Sequence, residues 1–131
     1  MGKDKDKKEE APRRRPLAWL RGEIKTPPFT VEGRREAGYL LRLLQEGENL
    51  SMPQAEPLPI LGPHCGALRV RDGQHNWRVM YRIDADAILI LEVYARTTRK
   101  IPEDVIDRCK KRLKDYDEIA RRLPKPRTKG D

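Results

Sequence analysis

Between residues 68 and 98 the chain is committed to a sheet. Three runs of strand character follow one another there: ALRVR, NWRVMYRI and AILILEVYA. Asp72-Gly73 separates the first two and Asp84-Ala85-Asp86 the second and third, both turn signals between runs rich in β-branched and aromatic residues. A chain that reverses twice over so short a distance predicts an antiparallel meander, in which successive side chains point to opposite faces.

The alternation assigns those faces. Leu68 and Val70 share one side of the first run, and Arg69 and Arg71 the other. In the second run Trp77, Val79, Tyr81 and Ile83 fall together, opposite Arg78, Met80 and Arg82. The third run is apolar on both sides from Ile88 to Leu91, as expected of a strand covered twice over. Arg69, Arg71, Arg78 and Arg82 are thus expected on one side of two neighbouring strands, with Arg96 following the third. Charged strand faces are commonly just solvated. A face of one sign, with no acid interleaved, instead asks for an anion, and phosphate suits the guanidinium fork.

The flanking segments predict what packs on this sheet. Leu17 to Leu20 read as a short first strand at the sheet edge, broken by Thr26-Pro27-Pro28. Thr30 is placed to cap a helix running to Glu48, with Ala37, Leu40, Leu41 and Leu44 at helical spacing and Gly47 as its stop. Gly33 and Gly38 weaken such a helix, so close packing or a break is expected there. Residues 49–66, with four prolines and two glycines, read as an irregular crossing. Pro102 and Glu103-Asp104 signal a second helix with a stripe of Val105, Ile106, Cys109, Leu113, Tyr116 and Ala120, leaving Lys110, Lys111, Arg112 and Lys114 near water. The expected fold is α+β: a small antiparallel sheet packed against helices in a single domain over residues 16–120. Residues 1–15 form a charged tail and residues 121–131 a basic one, both expected to be disordered.

Net charge is less informative than its +8 suggests. Residues 1–16 carry seven Lys/Arg and four Asp/Glu, residues 99–131 carry twelve and seven, and residues 17–98 carry ten of each. The excess belongs to the ends, so recognition by the body of the chain requires a local patch. Two cysteines, Cys65 and Cys109, make no disulfide framework and are expected as free thiols. Together with His64 and His75 they match no zinc-ligand spacing, and neither a metal nor another cofactor is expected. With no membrane-length apolar run and no signal-peptide pattern, a cytoplasmic location is expected.

The segments PLAWLRGEIKTPPF, SMPQAEPLPILGPHCGALRVRD, WRVMYRID, AILILEVYARTTRKIP and VIDRCKKRLKDYD, in that order over residues 16–118, resemble the RelE/ParE toxin superfamily, in particular its phage-derived HigB-type branch. The most specific pieces are L-R-V-R-D, then W-R-V-x-Y-R, then an apolar strand ending in a basic cluster before a proline. The resemblance implies the toxin of a type II toxin–antitoxin system, a metal-independent mRNA endonuclease acting on the ribosome. It implies functional roles for Arg69 and Arg71, for Arg78, and for Arg96, Arg99 or Lys100 in the basic cluster after the last strand; together with the strand-face reading, catalysis is expected of Arg69, Arg71, Arg78 and Arg96, and RNA contacts of Arg82, Arg99 and Lys100. It also implies a helix-turn-helix antitoxin of the HigA kind, with ribosome and mRNA as the other partners and no membrane.

The chain departs from the family in two places. Gly66-Ala67 stand where a polar pair such as His-Glu is usual, and Arg96-Thr97-Thr98 where Lys-Lys-Thr is usual. No general base stands out in the sequence: Tyr81 alternates toward the core, Tyr94 could face either way, and arginine does not deprotonate. Two other functions fit the same resemblance: a ParE-like gyrase inhibitor, or a phage accessory protein that binds RNA or protein without catalysis.

Overall fold

The three runs form the strands expected of them. A computed structural model describes residues 14–20 and 29–123; the Thr26-Pro27-Pro28 break and most of both tails lie outside the described residues. The elements are β1 (Leu17–Trp19), α1 (Val31–Gln45), β2 (Ala55–Pro57), a 3-10 turn (Pro59–Leu61), β3 (Cys65–Asp72), β4 (His75–Ile83), β5 (Ile88–Ala95) and α2 (Glu103–Arg122). They make one α+β domain around a five-stranded sheet of order β1-β5-β4-β3-β2.

The meander β3-β4-β5 is antiparallel throughout, with Asp72 opposite His75 across a two-residue turn that begins at Gly73 (φ 65°). β1 lies at the sheet edge but runs parallel to β5, Leu17 beside Ile88, so the sheet is mixed rather than purely antiparallel. The crossing expected over residues 49–66 is corrected as well, since it contains β2, paired antiparallel with β3, and the 3-10 turn. A three-residue strand is too short to show alternation. Pro57 is tolerated because β2 is an edge strand, with one side free of ladder bonds.

Each face of the sheet has its own core. Leu40, Leu41 and Leu44 of α1 pack on Leu68, Val70, Val79, Tyr81, Ile88 and Ile90. On the opposite face Val105, Ile106, Cys109 and Leu113 of α2 pack on Cys65, Ala67, Met80, Leu89 and Leu91. β5 therefore feeds both cores, which explains its unbroken apolar run. Each such fully buried aliphatic side chain contributes about 1.5–3 kcal/mol relative to exposure.

Thr30 is the N-cap of α1, its hydroxyl accepting from the Gly33 N–H at 3.2 Å. It is itself held by the sheet: Asp72, at the end of β3, accepts from the Thr30 backbone N–H at 2.9 Å and from its hydroxyl. α1 ends at Gln45 rather than Glu48, because Gly47 (φ 89°) turns the chain there. In α2 the buried stripe stops short of Ala120, which is exposed, and Arg112 turns inward to Glu92 and the Leu91 carbonyl (2.6 Å) instead of to water. No helix among the described residues is long and apolar enough to cross a membrane.

Candidate functional site

The α2 core covers only part of its face of the sheet. Cross-strand register defines successive rows: Cys65 with Arg82, Ala67 with Met80, Arg69 with Arg78, Arg71 with Asn76. The buried part of the α2 core reaches the row of Ala67 and Met80, and in the next row toward the β3–β4 turn only the partly buried Tyr94 packs on it among the described residues. The next row runs Arg69–Arg78–Tyr94 across three adjacent strands. Two guanidiniums directly opposite one another are destabilising in a sheet, and one of them, Arg78, is only 2% exposed.

The expectation of a face without acids is overturned. Glu56 of β2 sits opposite Ala67, diagonal to Arg69, and its Oε1 lies 3.5 Å from Arg78 Nη2 and 3.9 Å from Arg69 Nη2. Glu92 of β5, 5% exposed, sits in the row of Met80 and pairs with Arg108 (3.4 Å) and Arg112. Arg82 is engaged on both sides: Nε and Nη2 donate to Asp84 at 2.7 and 3.0 Å, and Nη1 and Nη2 to Asp117 at 3.0 and 2.8 Å. These bonds raise the Arg82 pKa and hold the Asp117 carboxyl below its ordinary value. Three of these acids come from segments that strand alternation cannot place: an unexpected edge strand, a turn, and a helix whose register on the sheet is set only by packing; Glu92 lies on β5 itself, past a register shift in its pairing with β4.

What remains at the other row is under-neutralised. Arg78 Nε and Nη1, Arg69 Nε, Glu56 Oε1 and Tyr94 Oη are all buried without a well-formed hydrogen bond. Besides its ion-pair contact with Glu56, Arg78 Nη2 donates to the Arg99 carbonyl at 3.4 Å, a long bond. Buried polar groups are ordinarily satisfied, and a buried charge is costly unless paired and hydrogen-bonded. One carboxylate at ion-pair distance faces two guanidiniums here without saturating either. Burial pushes the Tyr94 phenol up, against the opposing effect of Arg78 and Arg96, so at neutral pH it carries its proton.

Two open clefts meet at this row. One, of about 560 Å³, is lined by Glu56, Arg69, Arg78, Arg96, Arg99 and Lys100. The other, of about 410 Å³, shares Arg69, Arg78 and Arg96 and extends to Arg71, Asn76 and Glu36. The segment after β5 is folded on itself, Arg96 Nε donating to the Thr98 carbonyl at 3.0 Å and the Thr98 hydroxyl to the Lys100 carbonyl at 2.9 Å. Six of the seven basic residues singled out from the sequence therefore line one pair of joined clefts. Arg82 lines neither, being held at the far end of β4.

Glu56 and Tyr94 are the chemically useful groups that sequence reasoning missed or left open. For Tyr94 alternation alone misleads, since its parity with Ile88 and Ile90 points to the α1 core, and a register shift between β4 and β5 turns Glu92 and Tyr94 to the arginine side. For Glu56 there was no signal without β2. Among the described residues no three His, Cys, Asp or Glu side chains gather as metal ligands would. Cys65 and Cys109 are both buried free thiols, and desolvation raises the Cys109 pKa to about 12.

Comparison with curated proteins and with solved structures found no match. Comparison with protein families did: residues 28–114 match the phage derived protein Gp49-like family (DUF891). That stretch runs from just before α1 to deep within α2 and includes the whole basic row. A match over the greater part of the chain identifies it as a member of the phage derived Gp49-like family, within the RelE/ParE-like toxin superfamily.

Proposed function

We propose that the chain is a HigB-type toxin that cleaves messenger RNA on the ribosome without a metal ion. The observation that carries this reading is the set of unsatisfied buried donors on Arg69 and Arg78, beside one carboxylate and one phenol. Desolvated guanidiniums poised in advance stabilise charge that develops on a phosphoryl group far better than solvated ones. A phosphodiester in the cleft of Arg69, Arg78 and Arg96 would complete their hydrogen bonds, with Arg99 and Lys100 gripping the neighbouring backbone.

The roles follow from residue type. The RNA 2′-oxygen attacks the adjacent phosphorus as the bond to the 5′-oxygen breaks, leaving a 2′,3′-cyclic phosphate and a 5′-hydroxyl. Glu56, the one carboxylate lining this cleft, accepts the 2′-hydroxyl proton. Tyr94, protonated at neutral pH, donates to the departing 5′-oxygen. Arg69, Arg78 and Arg96 hold the pentavalent phosphorus, and Arg71 positions the strand. Solvent exchange resets both proton carriers. An antitoxin, expected to be a small helix-turn-helix protein, would silence this site by presenting acidic groups to the guanidiniums.

The test is induced expression with mapping of mRNA 5′ ends. The wild type should arrest growth and cut mRNA within coding sequence. Arg78→Ala and Glu56→Gln should each lower cleavage by a factor of about 100 or more while the protein stays folded. Growth arrest with intact mRNA and an SOS response would replace this reading with gyrase inhibition. A wild type that never impairs growth would leave a non-catalytic binding protein.

A further inference from the structure

The second cleft is chemically unlike the first. Both share Arg69, Arg78 and Arg96, but the second lacks Arg99 and Lys100 and is lined instead by Glu36 of α1, Gln54, Asn76 and Arg71. Pro53 contributes an exposed apolar side, with the largely buried Val70 and Trp77 beneath. A carboxylate repels a phosphate, and carboxamides add little to gripping one. The same groups beside an apolar surface suit a nucleobase, which needs a face to lie on and an edge to be read. At about 410 Å³ the cleft is large enough for one base.

We propose that this cleft holds the base of the nucleotide whose phosphate lies in the first cleft, and that it selects guanine. The assignment rests on the reading of the first cleft as a phosphodiester site and adds its base preference. Guanine presents two adjacent donors, N1–H and the N2 amino group, that fit one carboxylate, here Glu36. Its O6 and N7 are acceptors for a guanidinium, here Arg71, or for the amide N–H groups of Gln54 and Asn76. Adenine would turn its N1 acceptor toward the Glu36 carboxylate. Uracil and cytosine offer no comparable pair of neighbouring donors on that edge. Glu36 therefore accounts for both attraction and exclusion. The shared guanidiniums couple the two clefts, so a base seated against Glu36 also fixes the register of its phosphate over Arg78.

Binding of short single strands to the full chain tests this. Oligouridylates carrying one guanosine, adenosine or cytidine, with that nucleotide and its neighbour lacking the 2′-hydroxyl so that neither adjacent bond is cut, are titrated by fluorescence anisotropy. The guanosine strand should bind about tenfold more tightly than the others. Glu36→Gln should abolish that preference without weakening binding of the all-uridine strand, and free guanylate should bind more weakly than the strand. Equal binding of all four strands, a guanine preference that survives Glu36→Gln, or free guanylate binding as tightly as the strand each overturns the proposal. Equal binding that Arg78→Ala still weakens removes the base site and leaves the phosphate site standing. Guanine-selective binding by a protein that cuts no mRNA removes the cleavage reading alone.

Discussion

At the scale of single residues, two arginines of one strand, four positions apart, have opposite fates. Arg78 is nearly inaccessible and carries one long hydrogen bond, whereas Arg82 commits four of its five N–H donors to Asp84 and Asp117. A side chain so engaged has little to offer a ligand. Arg82→Ala should therefore lower stability by about 1 kcal/mol, a modest figure because Asp117 is half exposed. Cleavage should be unchanged, the opposite of the pattern for Arg78→Ala. The loss should also depend on pH with a definite sign. Asp117 has a folded pKa below the ordinary 3.8, held there chiefly by its hydrogen bonds from Arg82. Its contribution is complete above the unfolded value and is lost as pH falls through the folded one. Denaturant unfolding at several pH values should show a gap between wild type and Arg82→Ala that is constant from about pH 5 to 8 and narrows below about pH 4. A gap independent of acid would mean that the pair is not formed in solution.

At the scale of elements, the two glycines of α1 separate intrinsic helix propensity from tertiary fit. Both are helical, and alanine at either would be favoured by roughly 1 kcal/mol on propensity alone. A Cβ on Gly38 meets nothing within 4 Å, whereas one on Gly33 would lie 2.5 Å from Asp72 Cγ, the carboxylate that holds Thr30. Gly38→Ala should raise Tm by a few degrees, and Gly33→Ala should lower it by breaking the link between cap and sheet. If Gly33→Ala also stabilised, the Asp72–Thr30 contact would carry no weight. The same region shows what was legible in the sequence. Thr30 as cap, the apolar stripe of α1 and the alternation of β3, β4 and β5 were readable because each depends on residues close in the chain. The reason for Gly33 was not, since its partner lies 39 positions away on another element. β2 was hidden for a related reason: three residues bounded by prolines have no period, and their pairing with β3 is settled by the sheet. With β2 went Glu56, the one carboxylate among the described residues that line the cleft of Arg78 and Lys100.

At the scale of the molecule, charge and site are separate matters. The excess positive charge sits in the terminal segments, while residues 17–98, which hold most of the basic row, are balanced. Two mechanisms of RNA attraction are thus distinguishable: a diffuse one from the ends and a focused one from the cleft. Counterion release tells them apart, because log K falls with log salt by about 0.7 per phosphate neutralised on a single strand. If Arg69, Arg78 and Arg96 make the contacts, with Arg99 and Lys100 adding up to two more, the slope for a short uncleavable strand should lie between about −2 and −3.5. Arg78→Ala should reduce it by about 0.7 and weaken binding to every sequence alike. Lys110→Ala and Lys114→Ala, on the exposed side of α2 away from both clefts, should leave it unchanged. A slope near zero would mean that the guanidiniums are not a docking face, and a steep slope insensitive to Arg78→Ala would assign binding to the ends of the chain. The intermediate slope is expected because the apolar side chains of α2 stop one row short of Arg69 and Arg78, leaving a small number of fixed guanidiniums lining a cleft, Arg78 deep within it, rather than a broad basic surface.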